Sequence, residues 1–165
     1  MKKVLSFALI LLMFMVNHAI SHTIQFRDYE WGTKISKIEK ILKDKAPIID
    51  YDDMEIYIHD KYLEGEARIL FVFTPKTELL TGVKINFENG SPEFNELHEI
   101  FSRQYGPYKM QNGLTERVYT WEDSNNVLLL REKNNRITIY MYNKRLLKKM
   151  KEEREDVEGY LKIPF

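Results

Sequence analysis

Residues 80–105, LTGVKINFENGSPEFNELHEIFSRQY, carry a strand, a turn and a helix in one run. Val83, Ile85 and Phe87 alternate with Lys84, Asn86 and Glu88. A period of two puts each set on its own face of a strand, so 80–88 reads as a half-buried strand. Asn89-Gly90 supplies the turn. Ser91 is a suitable N-cap, and Pro92 stands at the first helical position, where its missing N–H costs nothing. Phe94, Leu97, Ile100, Phe101 and Tyr105 then recur at three- and four-residue spacing, one face of an amphipathic helix that Gly106-Pro107 stops.

The same order extends upstream and downstream. Before the quoted run, Thr33 is placed to cap a helix of about three turns. Ile35, Ile38, Ile41 and Leu42 form its apolar face, and Pro47 ends it. Two strand-like runs follow, an alternating one at 54–59 and one at 66–74 that is apolar on both faces and reads as the central strand. After the second helix, three more runs read as strands, at 117–122, 126–131 and 136–143. Ser124-Asn125 and Asn134-Asn135 have the residues that tight hairpins require.

The chain therefore reads as a helix and three strands, twice, with a period of about 60 residues. The units run over 31–88 and 91–143 within a single α+β domain at 22–143. Joined edge to edge they predict one antiparallel sheet with both helices on one face. A lone three-stranded unit would be marginal, and pairing enlarges the core. Residues 22–27 alternate and predict a short added strand. Residues 144–165 read as a charged helix or tail, whose apolar end at 160–165 docks on the body, frays or serves as a short partner-binding peptide.

The first 21 residues have the form of an export signal. Lys2 and Lys3 precede an apolar run from Val4 to Val16, and Ala19-Ile20-Ser21 closes it. Thirteen residues, broken only by Ser6, suit a signal-peptide core and are too few to cross a hydrocarbon layer of about 30 Å. Cleavage is expected after Ser21, with Ala19 as second choice and retention as an anchor as the alternative. The chain of 165 residues has 25 basic and 25 acidic side chains. Losing two lysines leaves 23 − 25 = −2 over 22–165, which gives no electrostatic case for nucleic acid. No cysteine is present, so neither disulfides nor a lipid-anchored cysteine is available. Export without disulfides points to a periplasmic or secreted location, with no stable membrane span once the signal is removed. Ten Tyr, nine Phe and two Trp indicate an ordered, packed domain.

Trp31-Gly32-Thr33 leading into Ile35, Ile38 and Ile41, and Leu97, Phe101 and Tyr105-Gly106 leading into the Trp121 strand, carry a resemblance of topology. Over about 27–143 the pattern resembles small exported bacterial proteins of the BamE and β-lactamase-inhibitor-protein type. Unlike the first it has no lipid-attachment cysteine, unlike the second no disulfides, and each half has one helix. The resemblance implies a non-catalytic protein that binds another protein of the cell envelope through its sheet.

If the helices cover Ile56, Ile58, Val83, Ile85, Phe87, Ile137, Ile139 and Met141, then Tyr57, Tyr140 and Tyr142 face the other way. Leu70 and Val72, or their neighbours, join them, with one of Tyr119 or the Val118 side. Tyr57, Tyr119, Tyr140 and Tyr142 are thus the candidate partner-binding residues, since tyrosine offers contact area and a polar tip. Asp50, Asp52, Asp53, Glu55 and Asp60 lack the glycine and terminal glutamate of a calcium loop and read as a solvated turn. A metal site would have to draw on His22, His59 and His98, which nothing in the sequence brings together. No metal or cofactor is expected. There is no cysteine nucleophile, no G-x-S-x-G elbow and no H-E-x-x-H. The alternative to a binding module is a small metal-binding protein or hydrolase using acidic and histidine residues. N-terminal sequencing of protein recovered after export is expected to start at His22, and a chain still starting at Met1 would overturn the cleavage site.

Overall fold

The computed structural model describes residues 23–50, 54–87, 92–113 and 115–155. The expected signal and the chain end at 160–165 lie outside them. Helix α1 (Ile35–Leu42) continues into a 3-10 turn (Lys43–Lys45). Strands β1 (Ile48–Asp50), β2 (Glu55–Tyr62), β3 (Gly65–Phe73) and β4 (Leu80–Phe87) follow. Helix α2 (Phe94–Tyr105) opens the second half, with β5 (Lys109–Asn112), β6 (Glu116–Glu122), β7 (Asn126–Lys133) and β8 (Arg136–Asn143). Helix α3 (Lys144–Glu155) comes last.

The eight strands make one antiparallel sheet in the order β1-β2-β3-β4-β8-β7-β6-β5. Each half supplies four adjacent strands, and the last strand of each meets the other at the centre. There Val83 pairs with Met141, Ile85 with Ile139 and Lys84 with Tyr140. The expected α+β class with a single sheet holds, but each half has four strands rather than three. The added strands are short edges. β1 has three residues after Pro47, and the four side chains of β5 are all exposed, so neither shows the apolar alternation that marks a strand. The doubly apolar β3 is central only within its own half; β4 and β8 occupy the middle of the sheet.

Both helices cover one face. Ile35, Ile38 and Leu42 of α1 and Phe94, Leu97 and Phe101 of α2 share a core with Ile56, Ile58, Ile69, Phe71, Ile85, Leu128, Leu130, Ile139 and Trp121. The cross-strand register explains this grouping: Ile58, Ile69, Ile85, Ile139, Leu130 and Tyr119 are successive partners along one row. Side chains in one row share a face, so β-branched and aromatic residues at alternate positions build a continuous apolar layer. Ile41 was expected beneath α1 and is instead 53% exposed, because an eight-residue helix buries only three positions here.

Two caps differ from expectation. Lys34, not Thr33, precedes α1, and the Thr33 hydroxyl donates to the Glu30 carbonyl at 2.7 Å. The chain at Gly32–Lys34 instead bridges the start of β4, since the Gly32 amide donates to the Leu80 carbonyl and the Leu80 amide to the Thr33 carbonyl. Glu93 precedes α2, and Ser91 lies outside the described residues. Gly106 ends α2 with φ +79° and its amide on the Ser102 carbonyl. Residues 23–27 form no strand; a single bridge joins Phe26 to Tyr29, while Ile24 and Phe26 are buried.

Helix α3 touches β4 and β8 and is pinned near its end. Glu153 accepts from the amides of Lys76 and Thr77 at 2.8 and 3.1 Å and from the Thr77 hydroxyl at 2.7 Å. Burial raises the Glu153 pKa, but these three donors outweigh it and hold the carboxylate below its ordinary value. Met150 is buried one turn earlier. The charge-dense segment over 144–155 is therefore a docked helix.

Gly82 marks the closest approach of the two halves. A Cβ there would lie 3.1 Å from the Met141 carbonyl oxygen and 3.3 Å from the Tyr142 Cβ. Gly82→Ala is expected to cost about 1–3 kcal/mol in urea unfolding, because β4 and β8 must separate to admit the methyl group. Gly113→Ala, whose Cβ would meet nothing nearer than 3.7 Å, should stay within about 0.5 kcal/mol. Equal costs at the two positions would refute a tight seam.

Candidate functional site

The face opposite α1 and α2 is laid out in cross-strand rows. The middle row runs Ile48, Tyr57, Leu70, Lys84, Tyr140, Leu129, Thr120, Lys109 across all eight strands. A second row contains Val72, Gly82, Tyr142, Val127 and Glu122. A third contains His59, Arg68, Asn86, Thr138, Arg131 and Val118. Leu70 and Val127 are buried, the tyrosines are half-buried, and Ile48 at the edge is 67% exposed. Tyr57, Tyr140 and Tyr142 therefore stand on this face, as the strand alternation predicts, and of the two apolar sides of β3 it is Leu70 and Val72 that join them.

Tyr119 does not. It stands on the helix-covered face, in the row of Leu130 and Ile139. Its ring packs 5.3 Å from Phe94 and 4.4 Å from His98, centroid to centroid, and edge-on to Trp121 at 6.3 Å. Val118 takes the outer position on β6 and lines the groove below. In the run Val118-Tyr119-Thr120-Trp121 the alternation puts both aromatics on one side and the β-branched Val118 and Thr120 on the other, and the pairing with β7 assigns the aromatic side to the core.

Two of the tyrosines on the outer face each have a cation over the ring. The Arg68 guanidinium lies 4.5 Å from the Tyr57 ring centroid, and the Tyr57 hydroxyl donates to Glu55. Lys84 Nζ lies 5.6 Å from the Tyr140 ring. Arg131 forms a two-point ion pair with Glu116, Nε to Oε1 at 2.7 Å and Nη2 to Oε2 at 3.1 Å. Glu116 raises the Arg131 pKa above its ordinary value, with burial opposing and Tyr140 adding to the rise. Burial, and then the Glu122 charge, push the Tyr142 hydroxyl up, so it stays protonated. A groove of about 480 Å³ runs over this half of the face, lined by Gln111, Glu116, Val118, Leu129, Arg131 and Tyr140 among others. Apolar floor, phenolic tips and fixed charges give a surface suited to contact with a polypeptide.

The other sequence candidates are dispersed. His59 is exposed on β2, on the outer face. His98 lies on α2 against Tyr108 and Tyr119, on the helix side. His22 is outside the described residues, as are Asp52 and Asp53. Glu55 is buried on β2, and Asp50 is exposed on β1. Asp60 instead binds Arg27 at 2.8 Å and Lys45 at 3.1 Å. Burial raises the Asp60 pKa, but hydrogen bonds from Arg27, Lys45 and the Lys61 amide outweigh it and bring it down to about 2. Among the described residues, no group of three or more His, Cys, Asp or Glu side chains is placed to hold a metal ion. Among the same residues, no helix is long and apolar enough to cross a membrane.

Compared with protein-family models, with curated proteins and with solved structures, the chain gives no match. Tyr119→Ala is expected to cost about 3 kcal/mol of folding stability, since it empties a packed aromatic cluster, against about 1 kcal/mol for Tyr140→Ala. Urea unfolding of both variants checks the assignment of faces, and a larger loss at Tyr140 would reverse it.

Proposed function

We propose that this chain is an exported, non-catalytic binding module that recognises a protein partner in the cell envelope through its outer sheet face. One observation carries the reading. Tyr57, Tyr140 and Tyr142 stand on a single face with Leu70, Val72, Leu129 and Val118, while the opposite face is taken up by α1 and α2. Half-buried tyrosines offer large contact area and a hydroxyl at small entropic cost, which is the composition of interface centres. The cation–ring contacts of Arg68 and Lys84 restrain two of those rings beforehand, lowering the cost of ordering them on binding.

Export is supported by Lys2, Lys3 and the apolar run from Val4 to Val16, and the absence of cysteine fits a protein stabilised by packing alone. The likeness to envelope-assembly proteins of the BamE type and to β-lactamase-inhibitor proteins belongs to the same proposal, at the level of a helix-plus-sheet unit used twice.

The combined variant Tyr57→Ala, Tyr140→Ala and Tyr142→Ala tests the reading. It should keep its circular dichroism spectrum and cooperative unfolding, and lose at least about tenfold in cross-linked partner recovered from the native envelope. Recovery equal to the unaltered protein, with the fold intact, would refute the face as the docking surface.

A further inference from the structure

Charge on the outer face is unevenly compensated. The carboxylates on its strand ends are spoken for: Glu66 pairs with Lys61, Glu116 with Arg131 and Lys133, and Glu122 with Lys109 and Lys144. The Lys144 ammonium on Glu122 holds that carboxylate below its ordinary pKa, burial opposing and Lys109 adding to the effect. Glu55 is buried and accepts from Tyr57. Near the seam the pattern changes. Among the described residues, no carboxylate pairs with Arg68 on β3, Lys84 on β4 or Arg136 on β8.

These three cations flank the junction of the two halves. Arg68 is the register partner of Asn86, which is the partner of Thr138. Lys84 is the partner of Leu70 and of Tyr140. Arg68 and Arg136 both line a cleft of about 790 Å³ at this end of the seam, and Asn86 and Thr138 also line it. The Thr138 hydroxyl donates to the Asn86 amide oxygen at 3.1 Å. That leaves the Asn86 amide N–H groups to donate elsewhere. Glu93 and Glu132 stand on the cleft's other rim, but Glu132 is taken by Arg117 at 2.6 Å.

A cation over an aromatic ring keeps its whole charge. The ring restrains where Arg68 and Lys84 sit without neutralising them, so they are positioned before any partner arrives. Guanidinium groups beside hydrogen-bond donors match the planar, two-oxygen geometry of a carboxylate. A basic partner would meet like charge here, and an apolar one would strip water from three cations without return. The chain as a whole is near neutral, so this local excess is a property of the seam and not of the composition.

We infer that the outer face takes an acidic, extended polypeptide segment, with its carboxylates on Arg68, Lys84 and Arg136 and its apolar side chains over Leu70, Leu129 and Val118. This deepens the proposed function and rests on it, since it names the chemistry of the partner at that same face.

The test uses the full chain as recovered after export and fluorescence anisotropy of a labelled peptide of alternating Glu and Val, with the Gln-and-Val peptide as control. The Glu peptide should bind, and raising salt from about 50 to about 300 mM should weaken it several-fold. The variant Arg68→Gln, Lys84→Gln and Arg136→Gln should weaken it by at least about tenfold, with cooperative unfolding retained, because none of the three is in an ion pair among the described residues and only the cation–ring contacts of Arg68 and Lys84 are lost. Equal binding of the Gln peptide, or unchanged affinity in that variant, would overturn the inference. So would binding to vesicles containing phosphatidylglycerol without binding to the Glu peptide, which would assign the cations to a lipid surface.

Envelope cross-linking separates the two levels. If the tyrosine variant loses the partner and the Gln variant keeps it, the acidic segment fails and the face stands. If the tyrosine variant keeps the partner, the face itself fails.

Discussion

The pairing of β4 with β8 is the interaction on which the rest of the molecule depends. Val83 opposite Met141 and Ile85 opposite Ile139 place four buried side chains where two four-stranded halves meet. Each half alone would expose one long sheet edge and an apolar face covered by a single helix, an arrangement of marginal stability. Joining at the seam removes both interior edges at once and makes one core under α1 and α2. Gly82 permits the approach, since any side chain there would press on the β8 backbone.

The seam also accounts for the division of labour between the two faces. Strand alternation commits every second residue to the core, and what remains is carried along on the opposite side in fixed rows. Tyr57, Leu70, Lys84 and Tyr140 come together because their inward neighbours Ile56, Ile58, Ile69, Ile85 and Ile139 had to be aligned. The outer surface is thus positioned by the core, which gives the proposed binding face rigidity without loops of its own. Helix α3 extends this economy: Glu153 satisfies two backbone amides of the turn after β3, so the last helix fastens the start of β4 next to the seam.

Much of this was legible in residue order. The alternating and continuous apolar runs located β2, β3, β4, β6, β7 and β8, and the spacing of Phe94, Leu97 and Phe101 located α2 and its buried face. The outer placement of Tyr57, Tyr140 and Tyr142 followed from the same alternation. The edges β1 and β5 were not legible, because a short exposed strand is held by backbone hydrogen bonds that leave no apolar pattern in its side chains. Ile41 was misplaced because a three-to-four spacing says nothing about where a short helix leaves the sheet. Tyr119 was left open for a related reason: aromatic Tyr119 and Trp121 share one side of β6 and β-branched Val118 and Thr120 the other, either of which suits a core, and the facing is set by register with β7.

From the order of residues alone came the period of each element and the repetition of the helix-and-strands unit, properties that depend on neighbours along the chain, and from composition the lack of any disulfide. Only the folded molecule decided that the two halves join through β4 and β8, that Tyr119 turns inward, and that Arg68, Lys84 and Arg136 flank one seam with no ion-pair partner among the described residues. Those facts join positions up to about seventy residues apart. They are fixed by which strand pairs with which and in what register, and a linear pattern does not encode that choice, because several pairings bury the same alternating faces equally well.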